Sequence, residues 1–101
     1  MNNSRIITIH NRHYKLVISN HAISRILQRK VNPENILPAI SSINSEKLEE
    51  YNTSSRDIML IDNAHHCSIV LHINSYTITV LTVIDKSDCY VFDGTATINI
   101  A

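Results

Sequence analysis

Within ISNHAISRILQRKVNPENI, residues 18 to 36, His21, Arg25 and Arg29 stand four residues apart. On a helix this spacing sets three side chains next to one another along one slightly drifting stripe. Each residue type brings its own chemistry: a guanidinium fork grips a phosphate or carboxylate with two parallel hydrogen bonds, and an imidazole can give or take a proton. Three basic or potentially basic groups in a row repel one another, so the row calls for an anionic complement. That complement is either a bound phosphate or the acidic residues Glu34, Glu46, Glu49 and Glu50 elsewhere in the fold. The plain alternative is a solvated face on which His21 supports the helix start through a hydrogen bond.

Other groupings carry less. His65-His66 falls between strand-like runs and reads as a solvated turn, and His10, His13 and His72 have no metal-ligand spacing. Serines are numerous, but no G-x-S-x-G motif occurs, and the lone Gly94 excludes a glycine-rich phosphate loop. Asp85, Asp88 and Asp93 read as turn carboxylates. Cys67 and Cys89 match no metal spacing and read as buried free thiols in preference to the alternative, a disulfide, and free thiols fit a reducing compartment.

The elements that must position these residues follow from periodicity. RIITIHNRHYKLVI alternates around Asn11-Arg12 and predicts a hairpin with strands at about 5–10 and 14–18, although the favoured glycine is missing. Ser19 or Asn20 can cap a helix over about 20–30 that buries Ala22, Ile23, Ile26 and Leu27. Asn32-Pro33 opens a second helix over about 33–43, kinked at Pro38, which has no N–H to donate. The polar stretch that follows predicts one short edge strand at 47–51. From Asp57 onward DIMLID, CSIVLHIN, YTITVLTVID and CYVFD predict an antiparallel meander. With its central hairpin folding about Asn74-Ser75, Cys67, Ile69, Leu71 and Ile73 share a face with Ile78, Val80 and Thr82. Ser68, Val70 and His72 then share the other face with Thr77, Thr79, Leu81 and Val83. The expected fold is α+β, with two N-terminal helices packed on an antiparallel sheet, in a single domain over residues 1–101.

Composition bounds the function. With 44% apolar and 18% charged residues, disorder and low complexity are excluded. The chain has neither an apolar run of membrane-spanning length nor a signal-peptide pattern, so it reads as soluble with no membrane partner. Nine Lys+Arg balance nine Asp+Glu, so any nucleic-acid contact must be local rather than a property of the whole surface.

HAISRILQRKV followed by NPENI resembles the H-A-x-x-R-x-x-x-R-x-[IV] signature of a family of small bacterial proteins, across roughly residues 14 to 84. Members usually carry glycine after the second arginine, where this chain has Lys30. That family's layout resembles the RelE/ParE toxin fold and the wider group of barnase, EndoU and colicin-type RNases. The resemblance implies metal-independent RNA cleavage without a cofactor, in which the 2′-hydroxyl attacks the adjacent phosphate. It makes His21 a general acid or base, with Arg25 and Arg29 on the phosphate. His72 and Thr82, or Thr77 and Thr79, would supply a second proton carrier or hydroxyl hydrogen bonds. Arg25, Arg29, Lys30, Thr77 and Thr79 would contact RNA. The expected activity is that of a toxin-like ribonuclease, tRNA being one candidate substrate. It would act in the cytoplasm, with delivery from another cell inside a larger protein as one route, and be restrained by a cognate immunity or antitoxin protein. The alternative is a non-catalytic RNA- or protein-binding module on the same fold.

Overall fold

The computed structural model describes residues 3–88 and 95–100. Six strands form one sheet: β1 (Asn3–Ile9), β2 (Arg12–Ile18), β3 (Arg56–Asp62), β4 (Cys67–Asn74), β5 (Thr77–Ile84) and β6 (Ala96–Ile100). Between β2 and β3 lie three helices, α1 (Asn20–Gln28), α2 (Ile36–Ser41) and α3 (Ser45–Ser54), with a 3-10 turn at Pro33–Asn35 before α2. The spatial order is β1-β2-β5-β4-β3-β6.

This corrects the expected architecture of two N-terminal helices on an antiparallel sheet. A hairpin comes first, three helices follow it, and the sheet is mixed, because β2 runs parallel to β5 and β3 parallel to β6. Both parallel pairings join segments far apart in sequence, so no local pattern announces them. The meander β3-β4-β5 is antiparallel, as expected.

The turns explain why the hairpins close without glycine. His10 and Asn11 both take positive φ (50° and 64°), as do Ser75 and Tyr76 (49° and 62°), the conformation that suits two-residue hairpin loops. Each turn sits one residue away from its expected centre. Tertiary contacts hold both in place: the His10 imidazole Nε2 donates to the Ile43 carbonyl at 2.7 Å. Buried Asn52 accepts the Tyr76 N–H on its side chain at 3.0 Å and the Ser75 N–H on its carbonyl at 2.9 Å.

Register puts Ile58, Leu60, Ile69, Leu71, Ile73, Ile78, Val80 and Val83 on one face, and they pack with Ala22, Ile26, Ile36, Ala39, Ile40, Ile43, Leu48 and Tyr51 from the helical segment. A bulge on β5 changes the expected faces. Val80 pairs with Leu71 and Thr82 with Val70, so Leu81 is the extra residue. Beyond it Val83, not Thr82, faces the core.

Ser45–Ser54 is helical where an edge strand at 47–51 was expected. Asn44 accepts the Glu46 N–H at 2.8 Å as N-cap, and Leu48, Tyr51 and Asn52 are buried at helical spacing. The expected second helix divides into the 3-10 turn and α2, and Pro38 stands in the first turn of α2, where no N–H is required. Strand β6 was not expected, and the CYVFD segment lies outside the described residues. Among the described residues no helix is long and apolar enough to cross a membrane.

Candidate functional site

Helix α1 is stapled along β5 just where β2 has ended. Pairing of β2 with β5 covers Thr77 to Val80 and leaves the following carbonyls of β5 without a strand partner on that edge. The Ser19 N–H continues the ladder to the Val80 carbonyl at 3.1 Å, and the Ser19 hydroxyl donates to the Leu81 carbonyl at 3.1 Å while also capping α1 through the Ala22 N–H. At the other end of the helix Arg29 Nη1 donates to the Val83 carbonyl at 2.6 Å.

This geometry rotates α1 relative to the expected buried face. Ala22 and Ile26 are buried and Ile23 is half-buried, but Leu27 is 76% exposed. Arg25 and Arg29 are instead partly covered, and only Arg29 reaches the sheet. The row is therefore not a single site. Arg25 donates to Gln28 Oε1 at 2.6 Å and to exposed His21 Nε2 at 3.4 Å, forming a small cluster on the outer surface. Arg29 lies eight residues from His21, about 12 Å along the axis. None of the four glutamates considered as partners has an ion pair with the row; Glu49 pairs with Arg12 and Glu50 with Lys47.

Lys30 takes φ 54°, the left-handed conformation that favours glycine. The Val31 N–H reaches back to the Ile26 carbonyl at 3.1 Å, so the helix ends in a Schellman motif with Lys30 at its glycine position. A lysine thus occupies the position where this turn favours glycine.

That turn opens a cavity of about 330 Å³ lined by Arg29, Lys30, Asn32, His65, His66 and Asp85, with Val31, Asn35 and Cys67 completing the wall. His65 and His66 come from the β3–β4 turn, where His66 has φ 53°. His65 is held in place from below: its Nδ1 lies 2.7 Å from Asp62 Oδ2, and its backbone N–H donates to Asp62 Oδ1 at 3.3 Å. The Asp62 side chain is only 3% exposed and the His65 side chain 50%. A carboxylate can only accept, so Nδ1 carries the proton and Nε2 presents a lone pair. Cys67 is a buried free thiol whose pKa is raised, first by burial and then by the Asp62 carboxylate. Cys89 lies outside the described residues.

The sheet residues named from sequence lie elsewhere. His72, Thr77, Thr79 and Thr82 face away from the helices, with His72 opposite Thr79 and also opposite Asp57 on β3. His72 is five residues along β4 from Cys67, about 17 Å from the cavity wall. The structure thus brings Arg29 and Lys30 to one cavity and places His21 with Arg25, and His72 with the threonines, at two other positions. His65 and His66 were set aside as a solvated turn; the carboxylate three residues before His65 is the signal that could have retained them. Among the described residues no group of three His, Cys, Asp or Glu side chains could hold a metal.

No protein-family model, curated protein or solved structure matches this chain.

Proposed function

We propose that the chain is a metal-independent endoribonuclease whose cleavage centre is the cavity at the C-terminal end of α1. The observation that carries this reading is the meeting of Arg29 and Lys30 with a histidine oriented by a buried carboxylate. His65 Nε2 takes the proton of the 2′-hydroxyl as its oxygen bonds to phosphorus. The bond from phosphorus to the 5′ oxygen breaks, and His66 as imidazolium hands its proton to that oxygen. Lys30 and the remaining N–H groups of Arg29 neutralise the charge that grows on the phosphoryl oxygens. The products are a 2′,3′-cyclic phosphate and a 5′-hydroxyl. Arg25 and His21 extend the cationic surface along α1 as a track for the flanking strand.

A toxin-like role goes with this reading: the substrate is tRNA, and a cognate immunity or antitoxin protein restrains the enzyme by presenting acidic side chains to the cavity. Incubation of the purified protein with total tRNA in EDTA tests the class. Fragments ending in 2′,3′-cyclic phosphate are expected, and intact tRNA at high enzyme concentration would contradict the reading. The second reading, a non-catalytic RNA- or protein-binding module, is favoured by the zero net charge, since tight phosphate binding normally needs several cationic contacts. Binding of tRNA without fragments would select it.

A further inference from the structure

On the sheet face turned away from the helices, three side chains form a relay that the cavity chemistry does not use. Asp57 Oδ1 lies 2.8 Å from His72 Nδ1, and His72 Nε2 lies 3.2 Å from Ser55 Oγ. As a carboxylate Asp57 can only accept, so Nδ1 bears the proton and Nε2 accepts from the Ser55 hydroxyl. A serine on a histidine that is oriented by a carboxylate is the arrangement that activates a serine nucleophile.

The backbone supplies a second observation. Ser55 closes α3 in the left-handed conformation, φ 54° and ψ 68°, between the last helical turn and the first residue of β3. This is the helix-ending conformation, with the Ser55 N–H on the Tyr51 carbonyl at 3.2 Å, and it fixes Ser55 at the sharp turn from which its hydroxyl reaches His72. The strand register completes the arrangement by pairing Asp57 with His72. Ser55 is exposed and the His72 side chain is 35% exposed, so a reagent can reach both.

We propose that Ser55, His72 and Asp57 form a second catalytic centre, independent of the ribonuclease reading, that transfers the acyl group of small activated esters. Ser55 Oγ bonds to the acyl carbon as its proton passes to His72 Nε2. The bond from that carbon to the leaving oxygen breaks, and His72 returns the proton to the departing alcohol. Water then repeats the sequence: it gives a proton to His72, bonds to the acyl carbon and releases the carboxylic acid as Oγ regains its proton. Asp57 is a positioning residue that holds the His72 tautomer. The open setting suits a small aryl ester rather than a long chain.

Diisopropyl fluorophosphate followed by intact mass and peptide mapping tests this. One adduct on Ser55 is expected, with loss of fluoride, and no adduct on Ser55→Gly, whose fold is preserved because glycine accepts the left-handed conformation. His72→Ala should slow the labelling at least 100-fold at an unchanged melting temperature. Asp57→Asn should slow it at least tenfold and alter its pH profile, which loss of a structural contact alone would not do. p-Nitrophenyl acetate should show a burst of one equivalent on the wild-type chain and none on Ser55→Gly. Absence of an adduct, an adduct on another residue, or equal labelling of Ser55 in His72→Ala would overturn the proposal.

Discussion

Two arginines of one row have different work, and hydrogen-bond demand decides which. Arg29 satisfies a carbonyl that β2 leaves uncovered, whereas Arg25 binds only side chains on its own helix. Arg29→Ala therefore mixes a stability loss with any loss of RNA contact, and Lys30 is the cleaner probe. His65 carries a comparable double role, because Asp62 is buried. Removing the imidazole leaves that carboxylate short of a hydrogen bond, and His65→Ala should cost about 1–3 kcal/mol in urea unfolding. Adding Asp62→Asn should recover part of it, since the two effects are coupled. Cys67 gives a pH-dependent prediction. Its folded thiol keeps its proton to higher pH than the unfolded one, so its stabilising contribution is complete below the ordinary thiol value of 9.0 and is lost as pH rises above that. Urea unfolding should show a smaller alkaline decline for Cys67→Ala than for wild type. In a Cys89→Ser background, iodoacetamide at pH 8 should modify Cys67 slowly until denaturant is added.

At the scale of elements, the C-terminal end of α1 sets stability against the proposed RNA contact. Lys30→Gly relieves a left-handed lysine and should raise stability by about 1 kcal/mol, while removing a cavity cation should weaken RNA binding. A thermal melt and a binding titration on one sample read both. Strong patterns made β4, β5 and the core of β3 legible in sequence, as they did the start of α1, where Ser19 stands ahead of a helical apolar stripe. Helix α3 escaped because its stripe is short and its surface polar, and its burial of Asn52 makes sense only once the Ser75-Tyr76 turn is in place. The bulge at Leu81 is invisible to alternation, so Thr82 and Val83 exchanged faces. Asp57 and His72 meet because an antiparallel hairpin pairs Asp62 with Cys67 and counts outward from there. Ser55 joins them only through the cap of α3, a step without a sequence signature.

At the scale of the whole molecule, nine positive and nine negative side chains give no general attraction to RNA. In the proposed reading, binding rests on the local group of Arg29 and Lys30, with Arg25 along the track, against the opposing Asp85 carboxylate. Two to three phosphate contacts to single-stranded RNA imply a slope of log K against log salt of about −1.4 to −2.1. A slope steeper than about −5 would place the RNA on a different and larger surface.

The central claim is that cleavage depends on His65 at the cavity, with His21 at the far end of α1 contributing only to the track. Cleavage of tRNA in EDTA, measured per folded molecule for wild type, His65→Ala and His21→Ala, tests it most directly. The account predicts a loss of about 10²–10⁴-fold for His65→Ala and less than about tenfold for His21→Ala, the loss of one weak contact. Wild-type cleavage by His65→Ala, or a larger loss in His21→Ala than in His65→Ala, would contradict it.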